Sequence, residues 1–197
     1  LLLKDKPVLM HTIGKFYNTP LKPEIILVLN VAAHDYWKEL CQQYNFEIPH
    51  TLINGGEQRF HSVRNGLMAI KEDGIVAIHD GVRPLVSTKL IVDTYESAAI
   101  NGNAIAAIKP SDSVRKVISE TESKIVNRDE LVLVQTPQTF QLAQLRTAYQ
   151  QSYQHSFTDD ASVVQQAGYN INLITGERNN LKITYKEDLE LATLLLK

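Results

Sequence analysis

The residues best suited to chemistry lie in Gly74-Ile75-Val76-Ala77-Ile78-His79-Asp80-Gly81-Val82-Arg83-Pro84. A short apolar run passes at once into polar, turn-prone residues, which predicts a central strand of a parallel sheet delivering Asp80 at its carboxyl end. In open α/β folds that end is where ligands bind. A carboxylate there can hold a divalent cation while Arg83 faces a phosphate. A plain Asp-Gly turn with a solvated Arg83 is the bland alternative. A second candidate is Asn54-Gly55-Gly56-Glu57-Gln58-Arg59, between the short strand Thr51-Leu52-Ile53 and a helix carrying Ser62, Val63, Leu67 and Ile70. Paired glycines before a helix can bring backbone N–H groups against a phosphate or ribose, with Arg59 and Ser62 as added donors. A simple turn would use the same glycines.

The elements that must position these groups follow from periodicity. Pro7 opens a helix over Val8 to Tyr17, and Glu24 to Leu29 forms a buried strand. Trp37, Leu40, Cys41 and Tyr44 share one face of a helix from His34 to Asn45, which makes Cys41 a core residue. Ser87 or Thr88 caps a helix stopped by Asn101-Gly102, and Ala104 to Ile108 is another buried strand. Leu131 to Val134 re-enters the core, followed by Gln135 to Phe140, and Leu142, Leu145 and Tyr149 then define a helix. Thr158 caps a helix whose first turn holds Asp159 and Asp160, and Gly168 stops it. Ile171 to Ile174 is a last strand, and Thr184-x-x-Glu187 reads as a capping box for the final helix. This alternation predicts a doubly wound, mostly parallel, Rossmann-like α/β sheet covered by helices on both faces.

From Ser111 to Glu130 the pattern changes. Ser113 to Ile118, a polar turn and Lys124 to Val126 form a two-stranded excursion with little apolar surface. An isolated hairpin is marginal in water, so this arm is expected to pack on another surface, most economically a second copy of the chain. Arg128 stands at its return, where a solvated charge is the alternative.

Composition narrows the function. The 197 residues, 44% apolar, suffice for one sizeable core. A formal net charge of −2 argues against a general nucleic-acid or membrane-surface binder. Cys41 is the only cysteine, which excludes an internal disulfide and suits a reducing, cytoplasmic setting. No apolar run approaches the ~20 residues of a membrane span. The opening Leu1-Leu2-Leu3 resembles the tail of an apolar segment, so an upstream portion is expected.

Gathered at one sheet edge, Gly55, Gly56, Arg59, Ser62, Asp80, Arg83, Thr136 and Lys182, with Arg128 from the arm, put one carboxylate among several cations and hydroxyls. That set suits phosphoryl or nucleotidyl transfer, where catalysis is mainly positioning and charge neutralisation. Clustered metal-hydrolase ligands, a Gly-x-Ser-x-Gly elbow, Gly-x-Gly-x-x-Gly and a Walker A lysine loop are all missing from these residues.

Five motifs, in order and spacing, carry a resemblance over the whole length. They are Asn54-Gly55-Gly56-Glu57-Gln58-Arg59-Phe60-His61-Ser62-Val63, His79-Asp80-Gly81-Val82-Arg83-Pro84, Thr136-Pro137-Gln138-x-Phe140, Thr158-Asp159-Asp160-Ala161-Ser162 and Asn180-Leu181-Lys182-Ile183-Thr184. Together they resemble the 2-C-methyl-D-erythritol 4-phosphate cytidylyltransferases of non-mevalonate isoprenoid synthesis. The resemblance implies transfer of a cytidylyl group from CTP to a sugar-alcohol phosphate with Mg²⁺, releasing pyrophosphate. It implies Asp80 as metal ligand; Gly55, Gly56, Glu57, Ser62 and Asp80 for CTP; and Arg83, Ser113, Arg128, Thr136, Thr158 and Lys182 for the alcohol phosphate. Arg128 and Lys182 would be catalytic, orienting the attacking phosphate, with Ser113 and Arg128 donated by a partner's arm in a homodimer. The family's glycine-rich loop, with its Arg and Lys, is expected upstream of Leu1. Ser113 stands where threonine is common, Asn179 where aspartate is common, and Gly81-Val82 where Ala-Ala is frequent. Val82 also occurs in ribitol 5-phosphate relatives, so transfer to ribitol 5-phosphate is one alternative and a non-catalytic nucleotide-binding relative another.

Overall fold

The computed structural model describes residues 1–196. In chain order its elements are β1 (Leu2–Leu3), β2 (Lys6–Pro7), α1 (Val8–Tyr17), β3 (Ile26–Leu29), α2 (His34–Gln43), β4 (Thr51–Asn54), α3 (Arg59–Ala69), β5 (Ile75–Ile78), α4 (Thr88–Asn101) and β6 (Asn103–Ile108). There follow β7 (Val114–Val117), β8 (Ser123–Val126), β9 (Leu133–Gln141), α5 (Leu142–Ala148), α6 (Asp160–Gln166), β10 (Leu173–Thr175) and α7 (Lys186–Leu195).

Four strands form one sheet in the order β10-β6-β9-β5, and β3 and β4 form a separate parallel pair. β10 runs parallel to β6, but β9 is antiparallel to both β6 and β5. The four-stranded sheet is therefore mixed, with β5, β6 and β10 pointing one way and β9 against them, where a mostly parallel sheet was expected. The reason lies in the connection. Parallel neighbours need a crossover, usually a helix, and the segment joining β6 to β9 carries only the β7–β8 arm.

The segment Gln135 to Phe140, to which the sequence pattern assigned no element, is the body of β9. Ile105 pairs with Gln138 and Ala107 with Val134, so Gln135, Thr136 and Pro137 all lie opposite Ala106. This is a bulge. Proline has no N–H to give a ladder, and an out-of-register segment is where a sheet tolerates it.

Alternation along the strands sorts the core into two layers. Ile105 packs with Phe140 of β9 and with Phe60, Leu67, Leu142, Leu145, Val163 and Val164 from α3, α5 and α6. Its neighbour Ala106 packs on the other face with Phe16 of α1 and Val86, Leu90 and Ile91 at α4. Val76 and Ile78 of β5 join the first layer, and Ala77 the second. A further cluster of Met10, Ile13, Leu27 and Trp37 holds β3 and α2 to α1, with Cys41 packed against it.

Two helix starts differ from expectation. α6 is capped by Asp159, whose Oδ1 accepts from Ser162 N at 2.8 Å, while the Ala161 amide that a Thr158 cap would take donates to Gln138 Oε1 at 2.8 Å. α7 begins one residue late for a Thr184–Glu187 box. Asp188 Oδ2 instead accepts from Thr184 N at 2.9 Å and Tyr185 N at 2.8 Å.

Phe140 is fully buried between β5, β6 and the α3–α5–α6 layer. Phe140→Ala should cost about 3–5 kcal/mol in urea unfolding, the usual range for a buried aromatic truncation. A loss below about 1 kcal/mol would show that this layer is not the packed core.

Candidate active site

The chain leaves β5 directly into the loop that carries Asp80. The Asp80 amide donates to Thr136 Oγ1 at 3.0 Å, so the β9 bulge grips the tip of β5. Arg83 N donates to Asp80 O at 3.0 Å and closes the turn. Gly81 packs closely on α1: its carbonyl accepts from Thr12 Oγ1 at 2.8 Å, and a Cβ there would require Leu9 Cδ1, 2.9 Å away at the end of a flexible side chain, to give way.

Three cations converge on the Asp80 carboxylate. Arg83 Nε lies 3.2 Å and Lys182 Nζ 3.3 Å from Oδ2, while Arg59 Nε stands 3.9 Å from Oδ1. Burial alone would raise the Asp80 pKa, but Lys182, Arg59 and Arg83 outweigh it and hold the carboxyl below its ordinary range. Asp80 and Lys182 thus share one sheet edge, though 102 positions apart by their numbers.

A buried polar network carries the Lys182 segment to this edge. Arg83 Nη1 donates to Asn180 O at 2.8 Å, and Asn180 Nδ2 donates to Thr136 O at 2.8 Å. Gln135 reads the backbone of Glu177 with both amide atoms, Nε2 to O at 2.9 Å and Glu177 N to Oε1 at 3.1 Å. The Glu177 carboxylate in turn accepts from Ser87 N at 3.2 Å and from the Ser87 hydroxyl. Ser87 also caps α4, accepting from Leu90 N at 3.0 Å.

The glycine loop closes beside this cluster. Gly55 N donates to Leu29 O at 2.6 Å and Gly56 N to Ser62 Oγ at 3.0 Å. A Cβ on Gly56 would sit 2.4 Å from His61 Cβ, so only glycine fits. Arg59, the first residue of α3, makes a two-pronged pair with Asp160: Nη1–Oδ1 2.9 Å and Nη2–Oδ2 2.6 Å. Asp160 is fully buried and takes a third bond from Tyr149 Oη at 2.5 Å. Its neighbour Asp159 accepts from Gln138 Nε2 at 2.8 Å, tying the Thr158 loop to β9.

Arg83, Thr136 and Lys182 therefore each contact Asp80 directly, while the Gly55-Gly56-Ser62 loop bonds to Leu29 and within itself and reaches Asp80 only through Arg59. Glu57 and Thr158 are exposed next to them. Ser113 and Arg128 are exposed on the arm side, and Arg128 Nη1 donates to Ser111 O at 2.9 Å, within its own segment. Asn180, Gln135, Asp160 and Tyr149 were not expected as site residues. Their types gave no signal, since each is explained locally as a turn, strand or helix residue, and their partners lie 11 to 101 positions away. Among the described residues no three His, Cys, Asp or Glu side chains group as metal ligands. One strand-tip carboxylate amid an excess of cations fits a site for polyanionic ligands.

Comparison with known proteins agrees with that class. The chain is an α/β transferase domain of the nucleotidyltransferase kind. The family model described as 2-C-methyl-D-erythritol 4-phosphate cytidylyltransferase matches residues 1–197, and the chain belongs to that family. A protein of that name from Phocaeicola vulgatus is 46% identical over 97% of this chain and 87% of its own length. Another from Azobacteroides pseudotrichonymphae is 46% identical over 100% and 88%. The crystal structure of the Francisella tularensis 2-C-methyl-D-erythritol 4-phosphate cytidylyltransferase superposes with a TM-score of 0.83 at 33% identity, over 98% of this chain and 89% of that one. The Thermus thermophilus structure gives 0.81 at 30% identity, over 99% and 91%.

His79, just before Asp80, is packed on Phe16 with ring centroids 4.9 Å apart, and its Nε2 donates to Arg83 O at 3.1 Å. Its Nδ1 is buried without a partner. Burial lowers its pKa from 6.5 to about 4, against the pull of the Arg83 carbonyl and Asp80. Above pH 6.5 both states are neutral; as pH falls from 6.5 towards 4 the unfolded chain takes a proton that the fold refuses, and stability is lost. In the metal-free protein this should amount to about 3 kcal/mol across that window, from 1.36 kcal/mol per unit. Urea melts at pH 7 and pH 5 for wild type and His79→Asn check it, and equal slopes for the two proteins would refute it.

Proposed function

We propose that this protein transfers a cytidylyl group from CTP to 2-C-methyl-D-erythritol 4-phosphate in non-mevalonate isoprenoid precursor synthesis, releasing pyrophosphate. The observation that carries this reading is the convergence of Arg83, Lys182 and Arg59 on Asp80, built from motifs of a family that the chain matches from end to end. In the reaction a phosphate oxygen of the sugar-alcohol phosphate attacks the α-phosphorus of CTP, and the bond to the β-phosphate breaks. Lys182 and Arg83 hold that anionic nucleophile, with Thr136 and Thr158 as further donors. Gly55, Gly56, Glu57 and Ser62 line the cytidine and ribose side. What supports this is the Asn54 to Val63 motif of a family that the chain matches over residues 1–197; Gly56 itself is required by the nearness of His61.

Asp80 would hold a divalent cation, Mg²⁺. Supporting this is its donor set: one carboxylate with no protein cage suits Mg²⁺, which is usually bound by one or two carboxylates plus substrate phosphates. Once bound, such a cation neutralises triphosphate charge. Until then Asp80 is shared by Lys182 and Arg83.

The arm completes the reading. We propose one nucleotidyltransferase domain with a 111–130 arm that exchanges in a homodimer, so that Ser113 and Arg128 serve the partner's site as alcohol-phosphate ligands and Arg128 as a catalytic orienter. Supporting this, Val117 is 73% and Ile125 78% exposed on a two-stranded hairpin that pairs with no other strand among the described residues. A cytoplasmic setting is consistent with the single cysteine, and among the described residues no helix is long and apolar enough to cross a membrane.

Pyrophosphate release with CTP and methylerythritol phosphate tests the function, with ribitol 5-phosphate run in parallel. Turnover only with ribitol 5-phosphate, or none with either, would overturn it. Asp80→Ala should lower kcat by at least about 10²-fold at saturating Mg²⁺, the scale of losing a preorganised electrostatic group. Wild-type turnover by that variant would remove Asp80 from the mechanism. Arg128→Ala should lose activity, and mixing it with Asp80→Ala should restore part of it if arms cross between subunits. Full activity from a light-scattering monomer would exclude the exchanged arm.

A further inference from the structure

Arg59 lies at the meeting point of three motifs but contacts neither of the phosphate-orienting cations. It closes the Gly55-Gly56 loop, begins α3, and aims its Nε at Asp80 Oδ1 from 3.9 Å. What fixes that aim is on the far side of the guanidinium. Both terminal nitrogens are engaged by Asp160, at 2.9 and 2.6 Å, and a planar fork paired in this way has one orientation. Asp160 itself cannot swing, being fully buried, at the first position of α6, and bonded a third time by Tyr149 Oη. Arg59 is itself 39% exposed, but its partner carboxylate is fully buried and Tyr149 gives it only a neutral donor, so among the described residues the guanidinium is the one cation that meets its charge.

We propose that Arg59 is a positioning residue: locked by Asp160 and Tyr149, it sets the orientation of Asp80 and links the nucleotide loop to the Thr158 loop as one rigid unit. This rests on the reading of Asp80 as the CTP-side carboxylate. A lysine at this position would keep the charge but not the fork, so the Asp160 pair could form without directing anything at Asp80. The expected signature is a selective weakening of CTP engagement.

The test uses purified wild type, Arg59→Lys, Asp160→Asn and Tyr149→Phe. Binding of CTP with Mg²⁺ is measured by calorimetry without the alcohol phosphate, alongside kcat, both KM values and Tm. Arg59→Lys should weaken CTP binding about 10-fold and lower kcat/KM for CTP by about 10²-fold, the scale of a small misplacement, with KM for the alcohol phosphate changed less than about 3-fold. Asp160→Asn, which keeps the shape and loses the charge, should show the same split. Tyr149→Phe removes one lock on Asp160 but leaves the fork, and should show the same split at a smaller size, about 2- to 3-fold in CTP binding, with a Tm loss no smaller than that of the other variants. Kinetic losses that follow Tm equally in all three variants would reduce Arg59 to a structural role and overturn the proposal, as would unchanged CTP binding in Arg59→Lys. Should Arg59→Lys not fold, Asp160→Asn alone decides. Failure of the wild type to use CTP would instead count against the function itself.

Discussion

The interaction on which this architecture depends is the convergence of Arg83, Lys182 and Arg59 on the carboxylate of Asp80. Two of those cations have no other acidic partner at the site, because Arg59 alone is matched by Asp160. One carboxylate cannot cancel both Arg83 and Lys182, so the strand tip carries surplus positive charge inside a partly desolvated edge. Coulomb attraction there exceeds its value in water several-fold. An incoming polyanion relieves the repulsion between the cations, and Asp80 keeps them together until it arrives. The same cations explain why Asp80 stays ionised despite its burial.

Holding that cluster falls to neutral polar groups. The β9 bulge turns Thr136 so that its hydroxyl receives the Asp80 amide and its carbonyl receives Asn180. Gln135 and Asn180 then pin the backbone that leads to Lys182, and Glu177 ties it to the cap of α4. Bonds of this kind contribute about 1 kcal/mol each when complete and cost more when one partner is removed. Only the Oδ1 atom of Asn180 is left without a partner in that group. Rigidity at this edge therefore comes from this network together with a small apolar cluster, in which Val82, Leu85, Leu181 and Ile183 pack with Leu3, Val8 and Ala192, separate from the deeper layer around Ile105 and Phe140.

The arm obeys a different rule. β7 and β8 pair only with each other, their apolar side chains Val117 and Ile125 face outward, and Arg128 finds only the Ser111 carbonyl. A hairpin in that condition gains stability from whatever covers it. Its single-chain geometry and its proposed reach into a second subunit are thus two aspects of one feature.

The sequence alone was enough to place α1, α2, α4, β5 and β6, because a helical stripe such as Trp37-Leu40-Cys41-Tyr44 or an unbroken apolar run is a local signal. Asp80 and the Gly55-Gly56 loop were legible for the same reason, with turn chemistry following a strand. The strand identity of Gln135 to Gln141 was not, since Pro137 reads as a breaker and only pairing with β6 and β5 shows the bulge that admits it. Nor was the direction of β9, which depends on the arm replacing a crossover helix. Asp160 read as a helix-start acid, and only the folded chain sets it against Arg59, 101 positions away. Local residue order determined which groups stand at strand ends; the packing of β9 and α6 against β5 decided which of them meet, because charge pairing across such separations is a property of the assembled sheet and has no local period to read.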